Sequence, residues 1–115
     1  MEIYRDEHLL VDLRSQVAIL DNQTLTLTPK EYCLLLLLVE HAGAVVPRAT
    51  FLRRMWGDTS EMPTRRLDIH VSGLRRKLGQ YADRYIETIV GIGYSFRPIP
   101  WPPQSGPPDP NTLSE

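Results

Sequence analysis

The stretch covering residues 63–79, P-T-R-R-L-D-I-H-V-S-G-L-R-R-K-L-G, constrains this chain more than any other segment. Four apolar residues recur in it at i, i+4, i+7 and i+11, namely Leu67, Val71, Leu74 and Leu78. On a 3.6-residue helix they fall within about 60° of one another and form a stripe that faces a core. The spacing predicts a helix over residues 63–78. Opposite the stripe lie Arg65, Ile69, Ser72 and Arg76, and along one flank lie Arg66, Gly73 and Lys77.

The charge of this helix is opposite in sign to that of the remaining chain. Five basic side chains stand against one carboxylate in it and give a net charge of +4: Arg65, Arg66, Arg75, Arg76 and Lys77 against Asp68. The whole chain of 115 residues carries −1, which leaves −5 for all other segments. Positive charge concentrated on one helix suits an anionic polymer lying on that face.

An outward face of this composition fits the major groove of DNA. Arginine can bind guanine through two hydrogen bonds, and an exposed Ile69 could lie against a thymine methyl group. Gly73 costs about 1 kcal/mol of helix propensity relative to alanine, so we expect a phosphate or sugar to approach the backbone there. A solvated amphipathic helix would give the same pattern, and the helix alone leaves both interpretations open.

Length and composition set the class of the protein. A chain of 115 residues is long enough for one domain with its own core, and it needs no disulfide or metal to fold. Cys33, the only cysteine, lies in an apolar run and is predicted to be a small core residue. That run is far shorter than the roughly 20 residues that cross a bilayer. We therefore expect a soluble, cytoplasmic protein without membrane contact.

Enzymatic chemistry finds little support in the sequence. His8, His41 and His70 stand on separate predicted elements without metal-ligand spacing, and Cys33 is expected to be buried. A Gly-rich phosphate loop and a nucleophile elbow are both missing from the sequence. The prediction is a chain with no catalytic residues, no metal and no cofactor.

The segments before the basic helix predict a sheet followed by two helices. Residues 8–13, 16–20 and 24–27 read as strands of a three- or four-stranded antiparallel sheet. Thr28, Pro29 and Glu31 form a capping box for a helix that stops at Gly43, with a leucine run that favours core over a dimer seam. A second helix, Arg48–Trp56, and a polar loop then lead to the basic helix, which is a helix-turn-helix order.

The segments after the basic helix predict a hairpin and a tail. A polar spacer at 80–84 precedes two β-rich runs over 84–97, and Gly91 and Gly93 are expected to supply positive φ at the turn. A hairpin directly after a recognition helix is a wing, in which Thr88, Ser95 and Arg97 could contact phosphates, while Tyr94 and Phe96 are expected to pin the hairpin to the core. The predicted domain covers residues 1–98, and the proline-rich residues 99–115 are a disordered tail or linker.

The quoted motifs, in this order, resemble the winged-helix DNA-binding (effector) domain of OmpR/PhoB-type response regulators. They are L-T-P-K-E-Y-C-L-L, F-L-R-R-M-W-G, R-R-L-D-I-H-V-S-G-L-R-R-K-L and I-E-T-I-V-G-I-G-Y-S-F. The resemblance implies an α+β winged helix-turn-helix with an N-terminal antiparallel sheet of four strands, three helices and a C-terminal β-hairpin wing. It implies a sequence-specific transcriptional regulator of a two-component phosphorelay, bound to double-stranded DNA as a tandem dimer on direct repeats. It also implies a loop that contacts RNA polymerase, formed by Asp58, Thr59, Ser60 and Glu61.

The resemblance assigns roles to individual residues of the basic helix and the wing. Arg65 would hold a phosphate, while Ile69, Ser72 and Gly73 would face the bases. Arg75 and Arg76 would touch the DNA backbone or orient the helix, and Arg66 and Lys77 complete the cationic set. His70 suits a phosphate contact or a structural hydrogen bond equally, and Thr88 matches a backbone contact of the first wing strand.

Two departures from the family pattern keep a second function open. Ser72 and Gly73 replace basic residues that many relatives carry in mid-helix, and Val90 replaces a wing arginine. The alternative is a winged-helix protein-interaction module with weak or no DNA binding. With no receiver domain before the match, three origins remain open, namely an excised effector domain, a short regulator and the first part of a one-component regulator.

Overall fold

The chain begins with an antiparallel sheet of four strands in the order β1-β2-β3-β4. The computed structural model describes residues 3–57 and 65–100. The strands are β1 (Ile3–Arg5), β2 (Leu9–Asp12), β3 (Val17–Leu20) and β4 (Gln23–Thr24). Alternate residues of β2 point inward, so that Leu9 and Val11 are buried. The predicted three- or four-stranded sheet is confirmed with four strands, and β1 precedes the first segment predicted to be a strand.

The alternating segment 24–27 is only in part a strand. The strand β4 ends at Thr24, after which the amide of Leu25 still donates to the carbonyl of Ala18 at 2.8 Å. Leu25 and Leu27 are half-buried and Thr26 is exposed, so the alternation of burial holds beyond the ladder. The chain leaves the sheet here because Thr28 must reach the start of the first helix.

The helix α1 (Pro29–Glu40) begins with the predicted capping box. The amide of Glu31 donates to Thr28 Oγ1 at 3.1 Å, and the amide of Thr28 donates to Glu31 Oε1 at 3.0 Å. Four of the five consecutive leucines are at most 1% exposed, namely Leu34, Leu35, Leu37 and Leu38. The leucine run therefore fills this chain's own core, which rules against a dimer seam. Cys33 is half-buried at its margin.

The second and third helices follow the predicted pattern. The helix α2 (Arg48–Trp56) ends at Gly57, where φ is +90°, and buries Phe51 and Met55. The helix α3 (Arg65–Leu78) packs on α1 through the predicted stripe, with all four stripe residues at most 2% exposed. The predicted start of α3 at Pro63 lies outside the described residues.

The segment after α3, predicted to be a polar spacer, is helical. A short 3₁₀ turn, Gly79–Tyr81, continues into the helix α4 (Ala82–Tyr85). Tyr85 is fully buried and stacks on Phe96 with ring centroids 5.3 Å apart, while Tyr81 stacks on His8 at 4.3 Å. Two tyrosines one helical turn apart have apolar surface to bury, which makes this segment helical despite its polar neighbours.

The C-terminal hairpin belongs to a sheet of three strands in the order β5-β7-β6. The strands are β5 (Val45–Pro47), β6 (Ile86–Ile89) and β7 (Gly93–Phe96), all antiparallel to their neighbours. The extended connection predicted at 44–46 is thus an edge strand. Tyr94 and Phe96 pin the hairpin to the core as predicted, whereas Ser95 is buried between β5 and β6 and not available to a phosphate.

The two turn glycines act differently from one another. Gly91 has the predicted positive φ, +77°. Gly93 does not, and the prediction for it is wrong. A Cβ at Gly93 would lie 2.0 Å from the carbonyl oxygen of Val46. Glycine is needed there because the neighbouring strand β5 leaves no room for a side chain.

The fold extends past the predicted boundary at residue 98. Ile99 is 1% exposed, its carbonyl accepts from the amide of Glu7 at 3.1 Å, and its amide donates to the Asp6 carboxylate at 3.2 Å. The last described residues therefore close over the N-terminal sheet. The rest of the predicted tail, 101–115, lies outside the described residues.

Candidate nucleic-acid interface

The outward face of α3 is exposed and carries the predicted basic side chains. Arg65, Arg66, Ser72 and Arg76 are all exposed, and Ile69 is 62% exposed. Within residues 3–57 and 65–100, no hydrogen bond or ion pair engages the guanidinium groups of Arg65, Arg66 or Arg76. This face combines three cations without a partner in those residues, one aliphatic side chain and one hydroxyl. The opposite face of the helix is packed into the core.

Lys77 and Gly73 lie on the flank of α3 that packs against the start of α1. Lys77 Nζ is 2.6 Å from Glu31 Oε1, and the Glu31 side chain is almost completely buried. Burial raises the pKa of Glu31, but hydrogen bonds from Lys77 and from the Thr28 amide outweigh it, so the pKa lies below its ordinary value. The ammonium group of Lys77 is therefore committed to an internal ion pair.

Gly73 is buried, which corrects the expectation that it faces the bases. A Cβ at this position would lie 2.3 Å from Glu31 Oε2. The close approach that the sequence predicted does exist, but the approaching group is this chain's own carboxylate. The capping box fixes Glu31 at the start of α1. The packing of α1 on α3 then brings its carboxylate against Gly73.

Arg75 points toward the wing. Its Nη2 donates to the carbonyl oxygen of Ile86 and to Thr88 Oγ1, both at 2.9 Å, and its guanidinium lies 6.0 Å from the centre of the Tyr94 ring. Its Nε is buried and has no hydrogen-bond partner in the part of the chain that the structure describes. Of the two roles expected for Arg75, the geometry fits orientation of the helix and wing better than a contact with the DNA backbone.

A second connection between α3 and the wing was missed by sequence reasoning. Arg48 Nη1 lies 2.9 Å from Asp68 Oδ1, and the Tyr94 hydroxyl donates to the same oxygen at 2.6 Å. The hydrogen bond from Arg48 holds the pKa of Asp68 below its ordinary value. The one available signal was that Asp68 is the only carboxylate on a strongly basic helix. Its partners are 20 and 26 residues away, and nothing in the sequence links them.

The other residues predicted to bind DNA or RNA polymerase are His70, Thr88, Arg97 and the loop residues 58–61. His70 is half-buried with its ring 5.5 Å from that of Trp56, and its two expected roles, a phosphate contact and a structural hydrogen bond, both stay predictions; Thr88 is exposed at the wing. The loop residues Asp58, Thr59, Ser60 and Glu61 lie outside the described residues. Arg97, expected to reach a phosphate, is paired with Glu87 instead.

Residues 3–57 and 65–100 contain neither a metal-binding cluster nor a membrane-spanning helix. No group of three or more histidine, cysteine or acidic side chains is arranged to hold a metal ion there. None of the helices in that part of the chain has the length and apolar character needed to cross a bilayer.

Comparison with known sequences finds one matching protein family. Residues 22–96 match the family model described as "Transcriptional regulatory protein, C terminal". The chain is 37% identical over 92 residues to the transcriptional regulatory protein QseB of Escherichia coli O157:H7, and 37% identical over 90 residues to the response regulator ArlR of Staphylococcus saprophyticus. These matches cover 80% and 77% of this chain but only 41% of each relative.

Comparison with solved structures finds the same architecture. The response regulator DrrB of Thermotoga maritima, an OmpR/PhoB homologue, gives a TM-score of 0.76 at 32% identity, covering 84% of this chain and 44% of DrrB. The DNA-binding domain of Klebsiella pneumoniae RstA, solved in complex with the RstA box, gives 0.77 at 27% identity and covers 85% of this chain and 99% of that domain. The DNA-binding domain of E. coli CpxR gives 0.74 at 32% identity, covering 85% and 98%. The predicted winged-helix fold is confirmed.

Proposed function

The chain belongs to the OmpR/PhoB family of response-regulator DNA-binding domains, and on that premise we propose that it regulates transcription by binding double-stranded DNA through α3. The observation that carries the proposal is the set of three exposed arginines, Arg65, Arg66 and Arg76, which pair with no group in the described part of the chain, on a helix whose other face is fully buried. Fourteen residues make a helix of about 21 Å, long enough to lie in the major groove.

We do not propose that every cation of α3 contacts DNA. Arg65, Arg66 and Arg76 bind phosphates or guanine edges, and Ile69 and Ser72 face the bases. Lys77 and Arg75 act inside the protein, where they fix α3 against α1 and against the wing. The wing, residues 85–97, lies on the adjacent backbone or minor groove, with Thr88 at its side.

Further partners follow from the family and are proposals for the whole protein. Two protomers bind in tandem on direct repeats, and the loop containing Asp58, Thr59, Ser60 and Glu61 contacts RNA polymerase. The proposed location is the cytoplasm, because a DNA-binding regulator must reach the chromosome. An input through a phosphorelay would require a receiver domain in addition to the segment described.

The salt dependence of binding tests these roles. Sites are first selected from randomised duplexes, and the affinity for the selected duplex is then measured at several salt concentrations. Each phosphate contact contributes a slope of about −0.9 in log K against log salt. Arg76→Ala and Arg65→Ala should each lower the affinity and reduce the slope by about that amount. Lys77→Ala should leave the slope unchanged, because its charge is already paired with Glu31.

Arg84→Ala is the matched control, since Arg84 is an exposed arginine that belongs to α4 and not to α3. It should change neither affinity nor slope. The competing function, a protein-interaction module, has one observation in its favour, namely that Glu31 and Asp68 neutralise charge around α3. It would be preferred if selection yields no enriched sequence and the Arg65→Ala and Arg76→Ala variants bind random DNA as the wild type does.

A further inference from the structure

The tip of the wing is apolar and exposed. Residues 89–93, I-V-G-I-G, contain no polar side chain, yet they form the outermost turn of the hairpin between β6 and β7. Val90 is 89% exposed and Ile92 is 54% exposed. Several consecutive exposed apolar residues are unfavourable in water and commonly mark a contact surface. Neither side chain is buried in the core, and neither belongs to the exposed face of α3.

The turn holds these two side chains in place. The amide of Ile92 donates to the carbonyl of Ile89 at 2.9 Å, and the amide of Arg48 donates to the carbonyl of Ile92 at 3.0 Å. Gly93, directly after the turn, is packed against the backbone of Val46. The turn is thus tied to the start of α2 on one side and to β5 on the other, and Val90 cannot fold back onto the core without breaking these contacts.

The tip lies beside the proposed DNA-binding helix. The hydrogen bond from Arg75 to Thr88 joins α3 to β6, and the one from Tyr94 to Asp68 joins β7 to the first turn of α3. Both links are made within six residues of Val90 along the chain. When α3 occupies the major groove, the surface next to it is the sugar-phosphate backbone and the minor groove beyond.

We propose that Val90 and Ile92 enter the minor groove next to the α3 site and bind it through apolar contacts rather than through a cation. This inference rests on the proposed function and adds the chemistry of the wing contact. Neighbouring strands of a hairpin are about 4.8 Å apart before side chains are counted, whereas the minor groove is about 6 Å wide. Only the tip can therefore enter, and the tip is the part that carries Val90.

A protein partner fits the same tip less well. A stable interface buries about 800 Å² on each partner. Two aliphatic side chains on a projecting turn supply only a small part of that area, while they match the scale of the apolar wedges that proteins place in the minor groove. The wing is also continuous with the proposed DNA surface through Arg75 and Thr88.

An apolar tip has two consequences for recognition. Its contribution to affinity does not depend on salt, because it releases no counterions. It also gains nothing from the strong negative potential of a narrow A-tract groove, which attracts cations. Duplexes with flexible pyrimidine–purine steps under the wing, which widen easily, should therefore bind more tightly than duplexes with an A-tract at that place.

The experiment compares four proteins on the duplex selected from the randomised pool: the wild type, Val90→Ser, Val90→Arg and Val45→Ser. Val45 is the matched control, because it is an exposed valine of the same sheet, at the end of β5 away from the tip. Val90→Ser should weaken binding roughly tenfold with an unchanged salt slope. Val90→Arg should steepen the slope by about 0.9, because it adds a cation beside the phosphates. Val45→Ser should bind as the wild type does.

Hydroxyl-radical footprinting of the wild type provides an independent measurement, since it reports protection of sugars in the minor groove. Protection beside the α3 site that disappears in Val90→Ser supports the inference. If Val90→Ser and Val90→Arg bind with wild-type affinity and slope while Arg76→Ala loses affinity, the wing contact is wrong and the proposed function stands. If Arg76→Ala also binds as the wild type does, the proposed function fails and the inference falls with it.

Discussion

Asp6 shows how one side chain can organise distant segments. Its carboxylate accepts from the hydroxyl of Tyr85 at 2.7 Å, from the hydroxyl of Tyr4, and from three backbone amides, those of His8 and Leu9 at 2.9 Å and of Ile99 at 3.2 Å. Burial raises the pKa of Asp6, but the hydrogen bonds outweigh it and hold the pKa below the ordinary value of 3.8. The ionised form is therefore the one that the fold stabilises.

Replacing this carboxylate should make stability less dependent on pH. Asp6→Asn places an amide NH₂ among groups that all donate, and we expect it to lower the free energy of unfolding by about 2–3 kcal/mol at neutral pH. Because the pKa is lowered in the folded state, the stabilisation is present above pH 3.8 and is lost as the pH falls through the folded value. The difference between wild type and variant should therefore shrink in acid.

Urea unfolding measured from neutral to acidic pH checks this prediction. Asp83→Asn is the control, since Asp83 is an exposed aspartate of α4. It should alter stability by a few tenths of a kcal/mol. A loss in Asp6→Asn that stays constant down to low pH would show that shape, not ionisation, sets the contribution of Asp6.

At the scale of elements, the wing and α3 behave as one unit. Arg75 reaches from α3 to two acceptors on β6, and Tyr94 reaches from β7 to Asp68 on α3. The edge strand β5 then connects this unit to the start of α2, because Pro47 in β5 directly precedes Arg48. The position of the wing relative to the recognition helix is thus fixed by Arg75, for which helix orientation was one of two expected roles, and by the contact of Tyr94 with Asp68, which the sequence did not predict.

Substitution of the two wing glycines by alanine should lower the free energy of unfolding by different amounts. Gly93→Ala places a Cβ 2.0 Å from the Val46 carbonyl, a backbone atom, so β5 must separate from β7 at a cost of about 3 kcal/mol or more. Gly91→Ala meets no atom within 4 Å and only strains a left-handed residue, at about 1–2 kcal/mol.

Thermal unfolding of the two variants, with hydrogen exchange of the β5 amides, measures both effects. Faster exchange in β5 is expected for Gly93→Ala and not for Gly91→Ala. Equal losses of stability, with equal exchange, would mean that β5 lies less close to Gly93 than in the structure.

At the scale of the whole molecule, the two ends of the fold close on each other. Ile99 packs into the core beneath the N-terminal sheet, and its backbone bonds to Asp6 and Glu7. The start of the predicted tail, Ile99, is therefore part of the domain. The charge is also unevenly distributed over the molecule, since a chain with net charge −1 exposes Arg65, Arg66 and Arg76 together on one helix, without a partner among residues 3–57 and 65–100.

Shortening Ile99 tests the closure. Ile99→Ala removes a fully buried side chain, and we expect a loss of about 2–4 kcal/mol in the free energy of unfolding. Ile92→Ala, in which an isoleucine at the exposed wing tip is shortened, should cost less than about 1 kcal/mol. Urea unfolding with two independent probes distinguishes them, and similar losses in both variants would contradict a closure through Ile99.

Features that depend on local contacts could be predicted from the sequence. The capping box of α1, the stripe of α3 and the glycine that ends α2 depend on spacing within a few residues, and spacing is visible in the chain. Motif order was sufficient to identify the family. Which cations remain available to DNA could be seen only in the folded chain, because pairing of Lys77 with Glu31 and of Arg48 with Asp68 joins residues 46 and 20 positions apart. The tertiary structure also decided why Gly73 and Gly93 must be glycine, since a close approach between two elements leaves no periodic signal in either one.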